Sequence, residues 1–352
     1  MRILLLSRYG RLGASSRVRS LQYLPFFNKN GINVDVEPLF SDEYLKALYG
    51  GKSYWKEALA GYWNRIKLFV AIRKYDFIWL EKEIFPFLPA GLERLLNMVG
   101  VPYVVDFDDA LFHRYDKHHS RFIRLFLGRK IDAVMKHAAL VIVGNEYLAE
   151  RARSAGARRV EIVATAVDVE RYSIKHECSN KTPVVGWIGS PSTSAYLLSL
   201  KPVFESLKEK YDVRFVAVGA RQEDLIGVPV EAQPWSEETE VQSIQAFDVG
   251  IMPLPNTPWE QGKCGYKLIQ YMACGLPVVA SPVGVNEKII KHGDSGFLAD
   301  GIDEWREAIG QLLGDHNKRK QMGKKGRLHI ESLYSMQMQA PCLLSLFKSV
   351  TE

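Results

Sequence analysis

The sequence predicts an α/β protein built from two doubly wound domains that face each other. Its 352 residues are too many for one ordinary hydrophobic core. Short apolar runs alternate with helical patterns in both halves of the chain, which is typical of parallel sheets covered by helices. A polar stretch, Lys175–Lys181, interrupts the pattern between the two halves and predicts a linker.

Each half contributes its own set of buried strands. In the first half the predicted strands are Ile3–Leu6, Val34–Val36, Phe77–Leu80, Tyr103–Val105, Val141–Val143 and Val160–Val163. In the second half they are Val184–Ile188, Arg214–Val218, Val249–Met252 and Pro277–Ala280.

These strands suggest the domain boundaries. We expect one domain at residues 1–175 and a second at residues 182–325, with residues 326–352 forming helices that return to the first domain. Within that last segment Pro341 predicts a kink or a helix break.

The composition is typical of a soluble protein, with 47% hydrophobic and 24% charged residues. No run approaches the roughly eighteen apolar residues that a membrane span requires. The opening Arg2–Leu6 is too short for a signal peptide and is interpreted as a first buried strand. Four scattered cysteines form no disulfide or metal-binding pattern, which is consistent with a reducing cytoplasm.

The net charge of +6 is unevenly distributed. Residues 44–75 contain seven Lys/Arg and one Glu (+6), and residues 113–137 contain seven Lys/Arg and two Asp (+5), so the rest of the chain sums to −5. Aromatic residues lie among these charges, which suits an anionic membrane surface or a phosphate-bearing partner. Ordinary solvated helix faces remain the alternative. No nucleic-acid-binding motif accompanies the charges, so nucleic acid is not an expected partner.

The most informative stretch runs from Gly262 to Ser281. A glycine-containing loop opens a helix, Gly275 ends it, and a buried strand follows. Lys263, Lys267 and Gln270 are three and four residues apart, which predicts that they share one helix face. Two cations near the positive end of a helix would stabilise a diphosphate. A surface helix with solvated lysines is the alternative.

This stretch resembles the signature of family 4 (group 1) of the retaining glycosyltransferases, which have the GT-B fold. The similarity extends to residues 248–254 and 282–298, and in the first half to residues 143–149 and 164–168. It implies two Rossmann-like domains around a central cleft, with the nucleotide-sugar donor bound by the second domain. It also implies that Tyr266, at the start of the helix, lies beside the donor diphosphate.

The chain departs from the family pattern at two positions. The family usually carries two glutamates separated by seven residues, one contacting the donor sugar and the other the ribose. Here Gly262 and Gln270 take their places. Glutamine can still hydrogen-bond a ribose hydroxyl, whereas glycine cannot replace a carboxylate, and Glu260 would do so only if the loop were shifted.

Two glycine turns follow predicted strands. Gly13, with Arg17 nearby, resembles the GT-B loop that approaches the donor phosphates, although a plain tight turn explains it equally well. Gly189 and Ser190 occupy the corresponding place in the second domain. Trp235, near where GT-B enzymes bind the base, is a candidate for stacking on it, with core packing as the alternative.

Three carboxylates, Asp106, Asp108 and Asp109, close a buried strand. An Asp-x-Asp pair can hold a divalent ion, and helix N-capping is another possible role. By resemblance Asp108 takes the place of a histidine close to the donor sugar. We favour Asp108 as a sugar-contacting or electrostatic residue and expect no metal.

The sequence therefore predicts a retaining, metal-independent glycosyltransferase without a cofactor, with Lys263, Lys267 and Asp108 as catalytic candidates. Its predicted partners are a nucleoside-diphosphate sugar and a glycan or lipid-linked glycan of envelope or exopolysaccharide synthesis, at the inner face of the membrane. The alternatives are a nucleotide-sugar epimerase or hydrolase on the same fold, and a non-catalytic nucleotide- or glycan-binding module.

Overall fold

A computed structural model describes residues 1–174 and 182–351. The predicted linker Lys175–Lys181, with Cys178, lies outside the described residues. The chain divides into two compact units. Unit 1 comprises residues 1–165 and 339–352, and unit 2 comprises residues 166–338.

Each unit contains a six-stranded parallel sheet. In unit 1 the strands are β1 (Arg2–Leu6), β2 (Asn33–Val36), β3 (Phe77–Glu81), β4 (Tyr103–Phe107), β5 (Leu140–Val143) and β6 (Val160–Ile162), in the order β2-β1-β3-β4-β5-β6. In unit 2 they are β7 (Val184–Ile188), β8 (Arg214–Val218), β9 (Glu231–Gln233), β10 (Val249–Met252), β11 (Val278–Ala280) and β12 (Gly296–Leu298), in the order β12-β11-β10-β7-β8-β9. The predicted α/β fold with two parallel sheets is confirmed.

The helices pack around these sheets. In unit 1 they are α1 (Ala14–Arg19), α2 (Leu24–Lys29), α3 (Asp42–Tyr49), α4 (Trp55–Leu68), α5 (Gly91–Val99), α6 (His113–Asp116), α7 (Arg121–Leu127), α8 (Lys130–His137) and α9 (Glu146–Ser154). The remainder are α10 (Lys201–Lys210), α11 (Glu240–Gln245), α12 (Pro258–Gln261), α13 (Tyr266–Ala273), α14 (Asn286–Ile289), α15 (Ile302–Gly314), α16 (His316–Leu333) and α17 (Met336–Thr351). Short 3₁₀ helices lie at Leu21–Tyr23, Phe69–Lys74, Pro191–Leu200 and Gln222–Leu225.

The strand order creates one switch point in each sheet. In unit 1, β1 lies between β2 and β3, and in unit 2, β7 lies between β8 and β10. On the two sides of each of these strands, the sheet is therefore extended in opposite directions. In open parallel sheets, ligands bind outside the carboxyl ends of the strands at such a point. The loops after β1 and β3, and after β7 and β10, are therefore where functional side chains should converge within each unit.

The last helix completes the core of unit 1. Phe347 of α17 is fully buried, and its ring lies 4.9 Å from that of Trp79 and 5.4 Å from that of Phe27. The helix is continuous through Pro341, so the predicted helix break does not occur there. No helix among the described residues is long and apolar enough to cross a membrane.

Candidate functional site: polar clusters at the strand ends

Helix α13 of unit 2 begins at a glycine whose conformation few other residues adopt. Gly265 has φ +67°, and a Cβ there would lie 2.3 Å from Cδ1 of Ile289. The backbone therefore turns sharply just before Tyr266, and the helix starts there. Lys263 precedes this turn, so the prediction that it shares a helix face with Lys267 and Gln270 is wrong. Its ammonium lies 5.5 Å from the ring centroid of Trp259.

Lys267 lies against the loop that follows β7. Its Cε is 2.9 Å from the position that a Cβ on Gly189 would occupy, and its Nζ is 5.3 Å from the ring centroid of Trp187. The same Cβ would lie 2.3 Å from Cη2 of Trp187, so glycine at position 189 is required chiefly by the indole ring and leaves room beside it for the lysine stem. The structure thus brings two predicted site residues, Lys267 and Gly189, together at the switch point of the sheet. Ser190 follows, and its hydroxyl lies 2.9 Å from that of Ser192.

The loop after β8 also approaches the turn at Gly189. Gly219 has φ +85°, and a Cβ there would lie 2.1 Å from the carbonyl oxygen of Gly189 and 3.3 Å from Cβ of Trp235. Trp235 is therefore next to the loops that follow β7 and β8. Its indole N–H donates to Glu240 at 2.9 Å, which fixes the orientation of the ring. Base stacking by Trp235 stays a prediction.

Tyr172 is the centre of a buried hydrogen-bond network beneath α13. Its hydroxyl donates to Glu240 and accepts from the amide of Gln270 at 2.8 Å. Because a phenol has one proton, Tyr266, whose hydroxyl oxygen is 3.3 Å away, is left to act as the donor to Tyr172. Burial and the nearby Tyr266 and Glu240 raise the pKa of Tyr172 well above its ordinary value, so the phenol keeps its proton.

Gln270 belongs to this buried network. The side chain is buried, and its amide nitrogen is already used inside the protein. Gln270 thus holds the helix to the rest of unit 2, and contact with a ribose would use its carbonyl oxygen or its second amide proton. Its role in donor binding stays a prediction.

Two further buried polar residues lie near α13. Glu260 is buried and accepts hydrogen bonds from the hydroxyls of Tyr196, at 2.6 Å, and Thr257. Asn286 is fully buried, and its Oδ1 has no hydrogen-bond partner among the described residues, although its amide nitrogen donates to the Ser281 carbonyl. The Asn286 Oδ1 lies 3.6 Å from the position of a Cβ on Gly265, so it faces the start of the helix.

In unit 1 a cluster of charged side chains occupies the corresponding position. Lys82, directly after β3, has its ammonium 2.8 Å from Asp108, 3.5 Å from Asp109 and 3.0 Å from the hydroxyl of Ser15. Ser15 in turn donates to Asp108. Lys82 has φ +67°, which is a strained conformation for a side chain of this kind. The strained backbone is tolerated because the ammonium of Lys82 is held by three acceptors.

These contacts determine the charge of Asp108. Burial by itself would raise the pKa of Asp108, but the Lys82 ammonium and the Ser15 hydrogen bond outweigh it and lower the pKa to about 2. Asp108 is therefore an anion at neutral pH. It can stabilise positive charge or accept a hydrogen bond, but it cannot donate a proton.

The other carboxylate of the Asp-x-Asp pair has a structural role. One oxygen of Asp106 accepts from Arg19 at 2.8 Å and 3.0 Å, and both side chains are buried. Within the described ranges, no group of three or more His, Cys, Asp or Glu side chains is arranged to hold a metal ion.

The glycine turn after β1 is held together internally. The N–H of Gly13 donates to the Gly10 carbonyl, and a Cβ on Gly13 would lie 2.3 Å from Cβ of Tyr9. Glycine is therefore required by packing against Tyr9. Arg17 is buried, and its guanidinium donates to the carbonyl of Arg11 at 3.3 Å. Contacts of Gly13 and Arg17 with the donor stay predictions.

Comparison with known families gives a match to most of unit 2. Residues 182–315 match the family model described as "Glycosyl transferases group 1". This stretch of unit 2 is thus similar to the group 1 glycosyl transferases. The predicted resemblance to group 1 is thereby confirmed over these residues, and Gly189, Trp235, Lys263, Lys267 and Gln270 all lie within the matched stretch.

Curated relatives match short segments of the chain. D-inositol 3-phosphate glycosyltransferase from Corynebacterium urealyticum is 34% identical over 120 residues, which is 34% of this chain and 27% of the relative. N-acetyl-alpha-D-glucosaminyl L-malate synthase from Bacillus anthracis is 32% identical over 96 residues, or 26% of this chain and 23% of the relative. The matches thus span about a quarter of the length of these relatives.

Solved structures match the whole chain in fold. Sucrose-phosphate synthase from Thermosynechococcus elongatus has a TM-score of 0.72 at 15% identity, covering 99% of both chains. Anabaena HepE in complex with UDP and glucose has a TM-score of 0.70 at 16% identity, covering 99% of this chain and 100% of HepE. The predicted GT-B fold is confirmed.

The buried network of unit 2 makes the stability of that unit sensitive to one hydroxyl. We expect Tyr172→Phe to lower the free energy of unfolding by about 3 kcal/mol, because Glu240 loses a donor and Gln270 an acceptor inside the core. Urea unfolding measures this. Tyr211→Phe is the matched control, since no hydrogen bond is recorded for that hydroxyl among the described residues, and equal effects of the two changes would contradict the network.

The charged cluster of unit 1 predicts a pH-dependent stability. Lys82→Met keeps the side-chain length but leaves Asp108 buried without its cation, at a cost of about 3–5 kcal/mol at pH 7. The native Asp108, with its lowered pKa, contributes stability above the unfolded pKa of about 3.9 and loses it as the pH falls towards 2. In the variant, burial raises the pKa of Asp108, so protonation relieves the cost.

The difference in unfolding free energy between the native protein and Lys82→Met should therefore shrink as the pH falls from 7 to 3. Lys29→Met, at an exposed position of α2, serves as the control. The double change Lys82→Met/Asp108→Asn should be less destabilising than Lys82→Met. A pH-independent difference would show that Lys82 acts through packing alone.

Proposed function

We propose that the chain is a retaining glycosyltransferase that moves a sugar from a nucleoside-diphosphate sugar to an acceptor hydroxyl. The observation that carries this proposal is the position of Lys267. Its ammonium-bearing stem lies over Gly189, at the switch point of the sheet and the positive end of α13, inside the stretch that matches the group 1 glycosyl transferases. A cation there is placed to meet the negative charge of a diphosphate.

The chemistry follows from where charge develops. The acceptor oxygen forms a bond to the anomeric carbon on the face from which the diphosphate departs, while the bond between that carbon and the phosphate oxygen breaks. The proton of the acceptor hydroxyl passes to the departing phosphate oxygen. Negative charge grows on the leaving diphosphate, and groups preorganised to meet it lower the barrier. Lys267, Lys263 and the start of α13 at Tyr266 are the proposed groups.

The remaining predicted residues take supporting roles in this proposal. Gly189 and Ser190 form the turn beside the diphosphate, and Trp235, oriented by Glu240, stacks on the base. Gly13 and Arg17 contribute from unit 1. Asp108, ionised by its pairing with Lys82, contacts the sugar or stabilises its developing positive charge. No cofactor or metal takes part.

We further propose a lipid-linked glycan of envelope or exopolysaccharide synthesis as the acceptor, at the cytoplasmic face of the membrane. The basic and aromatic segments of unit 1 support this part of the proposal. HepE of Anabaena was solved with UDP and glucose, which makes UDP the first nucleotide to examine.

Thermal unfolding with UDP, GDP, CDP, dTDP and ADP, each with and without magnesium, tests the donor site. A ligand at 100 times its dissociation constant adds about 2.7 kcal/mol to the unfolding free energy, which raises the midpoint by a few degrees. We expect one diphosphate to stabilise the protein independently of magnesium. Stabilisation only with magnesium would instead implicate Asp106 and Asp108 as metal ligands, and no shift with any nucleotide would favour a non-catalytic module.

Lys267→Ala tests the catalytic assignment. We expect turnover of the donor identified by the unfolding assay to fall by about 10²–10³, because one preorganised charge is lost while the fold is kept. Lys288→Ala, an exposed lysine of the same unit, is the control and should leave turnover unchanged. Initial rates and unfolding midpoints of both variants give the comparison, and native-like turnover of Lys267→Ala would remove this residue from the mechanism.

A further inference from the structure

Helix α4 is oriented by a buried charge. Arg65 is 2% exposed, and its guanidinium donates to the carbonyl oxygens of Ser7 at 2.6 Å, Glu37 at 2.7 Å and Ile84 at 3.3 Å. A buried guanidinium requires such acceptors, and these three oxygens follow three different strands. The most deeply buried side chain of the helix is therefore a charged one, and the contacts of Arg65 fix which face of α4 turns inward.

The opposite face of α4 exposes apolar side chains to solvent. Trp55, Leu59, Trp63 and Ile66, with Val70 just beyond the helix, are between 49% and 93% exposed. They are spaced by four, four, three and four residues, which places them along one side of the helix. A water-facing helix of a soluble protein normally shows the reverse arrangement, with apolar residues towards the core.

Helix α7 repeats this arrangement. Phe122, Leu125 and Phe126 are spaced by three and one residues and are between 74% and 76% exposed. Arg121 and Arg124, in the same helix, are also exposed. Two helices of unit 1 thus present large apolar side chains to solvent, each flanked by basic residues.

A series of contacts connects the two helices on one side of unit 1. The hydroxyl of Tyr62 in α4 donates to the carbonyl of Pro86 at 2.9 Å. The ring of Phe87 lies 6.3 Å from that of His118, and Arg124 of α7 donates to the His118 carbonyl at 2.5 Å. Phe87 and the following residue are themselves about half exposed. We call α4, residues 85–88 and α7 together the docking surface.

The charge around the docking surface indicates its partner. Residues 44–75 carry a net +6 and residues 113–137 a net +5, whereas the rest of the chain sums to −5. Within α4 the ammonium of Lys67 lies 5.4 Å from the ring centroid of Trp63. Tryptophan and phenylalanine side chains surrounded by lysine and arginine suit the boundary between anionic headgroups and acyl chains.

We propose that the docking surface inserts its apolar side chains into an anionic lipid bilayer. Scattered exposed apolar residues are normal, but large apolar side chains concentrated on two connected helices and flanked by basic residues indicate an interaction site. The inference deepens the proposed function, because it names the surface that would bring unit 1 to a lipid-linked acceptor. Membrane binding can nevertheless be measured without any sugar transfer.

Flotation of the full-length protein with vesicles tests this surface. We expect binding to vesicles of phosphatidylcholine and phosphatidylglycerol in a 3:1 ratio, and much weaker binding to phosphatidylcholine alone. The variants Leu59→Gln/Trp63→Gln and Phe122→Gln/Phe126→Gln remove apolar side chains from exposed helical positions with little cost to folding. Each pair should weaken binding about tenfold or more.

Matched controls separate the docking surface from general hydrophobicity. Ile226→Gln/Leu328→Gln removes two apolar side chains of unit 2 that are 81% and 57% exposed, and it should leave binding unchanged. Lys56→Gln/Arg121→Gln removes two exposed charges and should weaken binding about tenfold or more, with the remaining binding less sensitive to salt.

Three outcomes would overturn the proposal. These are no binding of the native protein to the anionic vesicles, equal binding by the apolar variants, or a self-association that the variants abolish, which would make the surface an interface between copies of this chain. Stabilisation by nucleoside diphosphates in the same variants keeps the two proposals distinguishable. A native protein that binds a diphosphate but no vesicle contradicts the docking surface and the membrane-bound acceptor but leaves the donor site standing. One that binds vesicles but no diphosphate contradicts only the enzymatic proposal.

Discussion

Polar and charged side chains buried at the carboxyl ends of the parallel strands must find partners inside the protein, and this requirement arranges both units. In unit 2 the hydroxyl of Tyr172 connects Gln270 and Glu240, and through Glu240 it also orients the ring of Trp235. In unit 1 the ammonium of Lys82 lies among two carboxylates and a hydroxyl. Because an unpaired group at these positions would cost several kcal/mol, the loops that carry them have little freedom to move. The strand ends are therefore rigid where a ligand would need preorganised groups.

The glycines near these clusters are required because a larger side chain would not fit, as well as for their backbone conformation. Gly265 combines a left-handed φ with close contact to Ile289, so helix α13 can begin only after it. A Cβ at Gly189 would lie 2.3 Å from the ring of Trp187 and 2.9 Å from Cε of Lys267, so glycine leaves room for both side chains. The Lys267 ammonium lies 5.3 Å from the centroid of the same ring, so the glycine turn, the indole and the cation pack together after β7. This connects the backbone of unit 2 to the charge stabilisation that its proposed chemistry requires.

The need of buried charges for partners inside the protein also explains why α4 exposes apolar side chains. Arg65 satisfies three carbonyl oxygens at strand ends, and the helix is rotated so that this side chain points inward. Trp63 and Leu59 consequently face solvent, which would be unfavourable for a protein that meets only water. A bilayer surface removes that cost, and the excess positive charge of the flanking segments favours an anionic one. The structural anchor of the helix and its proposed interaction with lipid therefore have one physical origin.

The sequence by itself determined the two parallel sheets, ten of whose twelve strands follow from apolar runs, and the group 1 signature around α13. The strands β9 and β12 were not predicted, because Glu231–Gln233 is mostly polar and Gly296–Leu298 contains only two apolar residues after a glycine. Only the tertiary structure decided that Lys263 lies off the helix and that Gln270 is buried against Tyr172. Gln270 and Tyr172 are 98 residues apart in the chain, and Ser15 and Asp108 are 93 apart. Periodicity reports which face of an element is buried, but hydrogen bonds between distant segments depend on how loops converge at the strand ends, and no local pattern encodes that convergence.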